Sequence, residues 1–269
     1  MMSRAKHSVF VLLAIVAALA WVGPYLWMAL TSLRSLREIV ARPDALLPEH
    51  PTLGAYRELF TTIAVGRYLA VTIGMATLIA VVQILFALPA GYALAKLDYR
   101  GKRASFGLVL ACLLVPAQVT FVPLYLMFAK LQLVNTLAAL VLPFSVSALG
   151  IFLVRQALLA VPDEIIEAAR LDGASEMVIV YRILAPLVAP TLASLFLVSF
   201  VFHYSDYFWP LVMTTDDSVR TLPLGVALLR EQGSGVRWHV LMAGNVVLSV
   251  PILALFSAVQ RQLVKGLVG

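Results

Sequence analysis

A chain of 269 residues that is 62% hydrophobic and only 13% charged, with a mean hydropathy of +0.96, is too apolar for an ordinary soluble domain and belongs in a bilayer. Its net charge of +6 does not point to nucleic acid, because much of it sits beside apolar stretches, where it meets lipid headgroups. The single cysteine, Cys112, excludes an internal disulfide framework, and the scattered His7, His50, His203 and His239 form no metal-ligand pattern.

Arg4 and Lys6 precede the first apolar stretch, residues 9–30. It is too long for the apolar region of a cleavable signal, and it runs into Trp21, Pro24, Tyr25 and Trp27 rather than a small-residue cleavage site. A retained helix with an aromatic belt is expected. Five further stretches have the roughly 20 apolar residues that cross a hydrocarbon layer: 68–94, 106–128, 137–159, 187–209 and 240–259. Interior prolines at Pro89, Pro116, Pro123, Pro143 and Pro251 leave backbone carbonyls for neighbours or water to satisfy, which fits a packed bundle around a cavity or simply kinked packing.

Lys96, Arg100, Lys102 and Arg103 outweigh Asp98 between the second and third stretches, so this loop and the N-terminus are expected in the cytoplasm. Six spans then put both termini inside, together with the loop after the fourth span. The first outer loop competes with this assignment through Arg34, Arg37, Arg42, Arg57 and Arg67. Glu38, Asp44, Glu49 and Glu58 balance that charge but contribute little to the rule.

The loop at about 162–185 is polar and compact in a greasy chain. Pro162 suits a first helical turn, and Asp163 and Glu164 place negative charge at the positive end of the helix. Ala168 and Ala169 favour helix with little bulk, so another protein can approach closely, and Glu167 offers it a carboxylate. Gly173 supplies a turn, beside Asp172. Met177, Val178, Val180, Tyr181 and Leu184 continue as an apolar helix toward Pro186 and Pro190. A docking helix is one reading, and an amphipathic helix lying on the membrane surface is the other.

Farther along, Asp206 at the outer end of an apolar span faces water, a partner or a pathway, because a carboxylate there is otherwise costly. Tyr204, Tyr207 and Trp209 can stack on sugar faces, and Ser205 adds a hydroxyl; an interfacial belt with a snorkelling acid explains the same residues. Gln118, Asn135, Ser145, Ser147 and Asn245 are weaker pathway candidates, since polar groups in bundles often cross-link helices. A long polar external loop is expected over about 210–238, with Gly233, Ser234 and Gly235 near its end. No G-x-x-x-x-G-K-[ST] phosphate loop is present, so ATP hydrolysis is not expected in this chain.

Glu167, Ala168, Ala169, Gly173, Ile183 and Pro186 fall at the spacing of the EAA loop of ABC-importer permeases, with Ala185 where that family usually has Leu. The runs Val115–Leu126, Leu133–Thr136, Leu142-Pro143, Ile151–Gln156, Asp206–Leu211, Thr221–Gly225 and Gln260–Leu267 resemble the second permease subunit of maltose-type carbohydrate importers. Tyr204-Ser205 departs from that family's usual Trp-Asn, and its frequent Asn-Ser is absent near Ala70 and Val71. The resemblance implies an all-α integral-membrane fold of type I importer kind in a single permease domain, residues 1–269. It has six transmembrane helices and a cytoplasmic coupling helix between the fourth and fifth. It implies coupling through Glu167, Ala168, Ala169, Asp172 and Gly173, with a second permease, an ATP-binding subunit dimer and an external or periplasmic solute-binding protein as partners. ATP and Mg would sit on the ATPase, no cofactor or metal on this chain, and the solute would be a sugar or a sugar-like compound such as a glycerophosphodiester. An ion-coupled secondary carrier is the competing class, disfavoured because no convincing internal repeat is seen and few charges lie inside the spans. A scaffold that only recruits a cytoplasmic partner is the third.

Overall fold

Backbone groups in hydrocarbon must find partners inside the protein, most simply within their own helix. In the computed structural model, which describes residues 4–230 and 236–268, with side chains described at 10–116, 119–230 and 236–258, every regular element is helical.

In chain order, α1 (Arg4–Ser32) runs unbroken through Pro24. It is followed by α2 (Leu36–Ala41), capped by the Ser35 hydroxyl, and α3 (Gly54–Thr62). The long α4 (Val65–Lys96) contains Pro89. Then come α5 (Lys102–Leu114), α6 (Ala117–Lys130) and α7 (Leu137–Val141) with a 3-10 turn at Leu142–Phe144, and α8 (Ala148–Leu159) starts from a Ser147 cap. The polar loop forms α9 (Asp163–Leu171). A second helical run combines α10 (Glu176–Val178), a π-helical stretch (Ile179–Leu184) and α11 (Ala185–Leu187). The chain ends with α12 (Ala189–Tyr204), α13 (Phe208–Met213), α14 (Leu222–Leu228) and α15 (Trp238–Val268).

Three helices are long and apolar enough to cross a membrane alone, Phe10–Ser32, Val65–Lys96 and Trp238–Ala258, or up to six spans if each of three bent pairs counts as one. The third, fourth and fifth expected spans are therefore broken rather than continuous. Pro116 stands as N-cap of α6 and interrupts the third. The fourth bends by 45° between Phe144 and Ala148, and the run Glu176–Leu187 meets α12 at 85°. Pro143, Pro186 and Pro190 sit next to these last two bends, where missing N–H groups cannot continue a ladder. The fifth stretch breaks again at 205–207. The expected external loop is partly helical too, because Leu222, Leu224 and Val226 of α14 are buried, while residues 231–235, with Gly233, Ser234 and Gly235, lie outside the described residues.

The chain divides into two compact units, residues 1–67 with 222–251 and residues 68–221 with 252–269. In the first, Arg34 is buried and serves as an internal scaffold. Its guanidinium donates to the carbonyls of Ala45 at 2.8 Å, Arg42 at 2.5 Å and Glu38 at 3.2 Å, and pairs with the Glu38 carboxylate at 3.1 Å. Glu58 of α3 accepts from Arg237 at 2.6 Å and pairs with His239 at 3.2 Å. A Cβ on Gly244 would meet Val226 Cγ2 at 2.9 Å, so glycine is what allows α15 to touch α14.

The second unit has two apolar clusters. One gathers Leu88, Tyr92, Val154, Leu158, Ile166, Ile179, Leu184 and Leu195 from α4, α8, α9, α12 and the 176–187 run. The other joins Met75, Ile79, Phe128, Leu140, Trp209 and Met213. Pro89 cannot donate to the Leu85 carbonyl four residues earlier, and the Tyr181 hydroxyl takes that place at 2.8 Å. Gln83 Nε2 likewise donates at 2.7 Å to the Phe144 carbonyl beside the bend of the fourth span.

Candidate functional site

The 162–185 loop folds as helix, turn, helix. Pro162 takes the N-cap position rather than the first turn, and Asp163 and Glu164 occupy the first turn of α9. Gly173 has φ +80°, a left-handed conformation that side chains disfavour, and it reverses the chain after Asp172. Within α9, Ile166 and Ala169 face the apolar cluster, whereas Glu167, Ala168 and Asp172 are exposed. The candidate coupling residues thus split: Ala169 is a packing residue, and Glu167 and Ala168 present an accessible face. Leu171, 89% exposed, and Met177, 61% exposed, stand on the same loop as large apolar side chains. Sequence reasoning missed Leu171, although a lone Leu beside Asp172 and Gly173 in a polar turn is a visible signal.

The loop is anchored by charge-assisted hydrogen bonds. Lys96 Nζ, at the end of α4, donates at 2.6 Å to both the Val161 carbonyl and Asp163 Oδ1. Arg170 Nε donates to Glu176 Oε1 at 3.0 Å and its NH2 group to the Tyr92 hydroxyl at 2.9 Å, while that hydroxyl donates to Glu176 Oε2 at 2.5 Å. Arg155 Nε reaches the Leu94 carbonyl at 3.2 Å and its guanidinium lies 3.9 Å from the Phe106 ring centroid. Because a Cβ on Gly91 would lie 2.7 Å from Val154 Cγ1, the glycine lets α4 and α8 approach.

The second group of candidates is arranged otherwise. Tyr204 is 0% exposed and stacks on Phe200 with centroids 5.4 Å apart. Trp209 is buried between Phe121 and Phe144, and its indole N–H donates to the Ala139 carbonyl at 2.9 Å. Neither ring is offered as a sugar platform, because both fill the core of this chain. Asp206 Oδ1 accepts from the Phe208 and Trp209 backbone N–H groups at 3.0 and 3.4 Å and so starts α13. Ser205 and Tyr207 are exposed. His203 and Gln83, both buried, approach at 3.5 Å, and the His203 ring lies 4.7 Å from that of Phe144.

Asn135 is a clasp. Its backbone takes φ +63°, its N–H donates to the Met213 carbonyl at 2.7 Å, and its side chain binds the 215–218 turn on both edges. Nδ2 donates to Asp216 Oδ2 at 2.7 Å and Ser218 Oγ at 3.1 Å, and Oδ1 accepts from the N–H groups of Thr215 and Asp216 at 3.1 and 3.3 Å. The side chain of Gln118 lies outside the described residues. Among the described residues no group of three or more His, Cys, Asp or Glu side chains is arranged to hold a metal.

Long apolar helices, kinked spans with their freed carbonyls capped by neighbours, and a polar helix attached to the bundle with one face exposed are the features of a multi-spanning membrane protein. Residues 87–269 match the family described as binding-protein-dependent transport system inner membrane component, and the chain belongs to that family. It is 34% identical over 249 residues to the arabinooligosaccharides transport system permease protein AraQ of Halalkalibacterium halodurans, with 91% of this chain and 89% of that protein covered. It is 30% identical over 239 residues to the sn-glycerol-3-phosphate transport system permease protein UgpE of Pectobacterium atrosepticum, covering 86% and 85%. The fold matches, with a TM-score of 0.82 over 97% of this chain and 98% of the other at 23% identity, a chain of a bacterial ABC transporter involved in the import of the acidic polysaccharide alginate. The chain is accordingly an inner membrane component of a binding-protein-dependent transport system.

Proposed function

We propose that this chain forms one half of the translocation pathway of an ATP-driven importer for a sugar or sugar-like polar solute, the other half coming from a second, distinct permease. On this reading the chain crosses the membrane six times, the fifth crossing being made by α12, and both termini and the 162–185 loop lie in the cytoplasm, where a dimer of ATP-binding subunits docks on α9. ATP and Mg belong to those subunits. The bundle opens alternately to either side as the ATPases close and part, its helices rocking as bodies. A solute-binding protein delivers the solute and meets the outer segment around 210–238. A sugar or sugar-like polar solute is supported by the names carried by relatives, one concerned with arabinooligosaccharides and another with the polyol phosphate sn-glycerol-3-phosphate. Solute contact from the 204–207 corner falls to Ser205 and the remaining edge of Asp206, since Tyr204 is internal.

The observation that carries this reading is the face of α9. Glu167, Ala168 and Leu171 are exposed on a helix that is bound to the bundle at both ends through Lys96–Asp163 and Arg170–Tyr92. A surface held that rigidly and left open suits a partner that pushes on it. The test is affinity purification from detergent of wild type beside Glu167→Arg, with mass spectrometry of what accompanies each. Wild type should bring an ATP-binding protein and a second permease, and the charge reversal should lose the former and keep the latter. Wild type arriving without any ATP-binding protein would overturn the importer reading.

A further inference from the structure

The carboxyl-terminal half of α4 is fastened to the 155–187 stretch at four successive levels, Leu85, Tyr92, Leu94 and Lys96, through Tyr181, the Arg170–Glu176 pair, Arg155 and Asp163 respectively. Two of these attachments land on α9 itself. Lys96 holds Asp163 in its first turn and Tyr92 holds Arg170 in its last, seven residues and about 10 Å farther along the axis. A helix attached at one point can pivot about it. One attached at two points that far apart carries its neighbour with it, provided the attachments are stiff. On the α4 side they are: the Lys96 side chain is 8% exposed and Tyr92 is buried, while on the loop side Asp163, Arg170 and Glu176, with side chains 71%, 44% and 53% exposed, are held by charge-assisted hydrogen bonds of 2.5–3.0 Å. Gly91 removes the remaining gap by seating α4 directly on α8.

We propose that Tyr92 and Lys96 are positioning residues that gear the second apolar span to the loop helix, so that a displacement of α9 is delivered to α4 as well as to the spans that flank the loop. This rests on the importer reading above. The span that moves is joined to the loop by side chains alone, about 70 residues away in sequence, and not by the chain's own continuity. Coupling through such contacts is removable one bond at a time, whereas the connection to α8 and α12 is covalent and persists.

The single native cysteine, Cys112, makes a clean experiment possible. On a Cys112→Ala background, a bimane fluorophore is attached at Leu78→Cys of α4, 42% exposed, or at Val198→Cys of α12, 55% exposed. The complete importer is reconstituted in nanodiscs, and the emission change on adding ATP and vanadate is read. With Tyr92 and Lys96 intact, both reporters respond. In the double variant Tyr92→Phe with Lys96→Met the response at residue 78 falls about fivefold or more, while that at residue 198 stays within about twofold. Tyr92→Phe alone, which deletes one hydroxyl, gives a smaller loss in the same direction. An undiminished response at residue 78 overturns the gearing, as does an equal loss at both reporters, which would make the two residues general supports of the loop. Copurification of the ATPase is checked first: its absence from wild type, or no response of wild type at residue 198, refutes the importer reading instead.

Discussion

Residues 162–187 and 204–218 both carry polar and aromatic side chains next to apolar spans, yet they use them in opposite ways. In the first, the buried residues are apolar, the ties to the bundle are made by Lys96, Arg170 and Glu176, and Glu167, Ala168 and Leu171 are left facing outward. In the second, most of the eye-catching groups are consumed internally: Tyr204 in a ring stack, Trp209 in the apolar cluster, one oxygen of Asp206 at the backbone N–H groups that open α13, and Asn135 as the clasp of the turn after α13. A polar residue in a membrane protein is therefore weak evidence of a site until its partners are known. One whose donors and acceptors are all engaged holds the fold, and one left free on a fixed element is available to a partner.

Truncating the internal residue with the largest volume separates the two regions most sharply. Trp209→Ala should cost about 3–5 kcal/mol and lower the thermal unfolding midpoint in detergent strongly, because it opens a cavity against Phe121 and Phe144 and orphans the Ala139 carbonyl. Glu167→Arg, at an exposed position, should change the stability by no more than about 0.5 kcal/mol and barely move the midpoint, while abolishing ATPase retention. Equal destabilisation by both would erase the distinction.

Leu171→Asp comes next. The side chain is 89% exposed, so the midpoint should not move; on the proposed docking face, loss of this apolar side chain should weaken ATPase docking by at least about 2 kcal/mol, read as the dissociation constant of the purified subunits. Unaltered docking would mean that Leu171 faces lipid or solvent in the assembled importer. Gly91→Ala tests the packing behind that face. The new methyl would sit 2.7 Å from Val154 Cγ1 and 3.0 Å from the Arg155 backbone nitrogen, and backbone cannot yield as a side-chain tip can. A cost of about 1–3 kcal/mol is expected, with ATP hydrolysis and uptake reduced together.

The helical, membrane-embedded character was legible from composition, and the loop helix from Asp163, Glu164, the two alanines and Gly173, because local propensity, capping and turn chemistry agree there. The breaks in the third, fourth and fifth spans were less so. Hydropathy averages over a window and passes smoothly across Pro116, Ser145 and Val188, whereas the direction of the chain at those points is set by where a freed carbonyl finds a donor, as Phe144 does in Gln83. Tyr92, Lys96 and Arg34 were invisible as functional or organising residues for a similar reason. Each acts on a partner fixed by tertiary approach, and Arg34 in particular reads in sequence as one more charge on an outer loop, not as the buried donor to three carbonyls. Polarity and position make Asn135 stand out in the sequence, but its left-handed backbone and its hold on Asp216 are set by the fold and not by the residues beside it.

The smallest expected effect concerns that clasp. The Asp216 carboxyl is pulled down to about 2 by hydrogen bonds from the Ser218 side chain and backbone, then by Asn135, with a lesser pull from Arg220. A carboxylate favoured in the folded state stabilises it above its ordinary value of 3.8 and loses that contribution as pH falls through about 2. Between pH 7 and pH 5, then, nothing should change at this turn, and amide hydrogen exchange at Thr215 and Asp216 should stay slow; below about pH 3 it should accelerate. Asn135→Ala removes both edges of the clasp at any pH and should accelerate the same amides at neutral pH, with little change at α9. If the variant instead left these amides protected and altered solute uptake, Asn135 would belong to the pathway, and residues 204–218 would join the 162–187 loop as a surface kept free for a ligand.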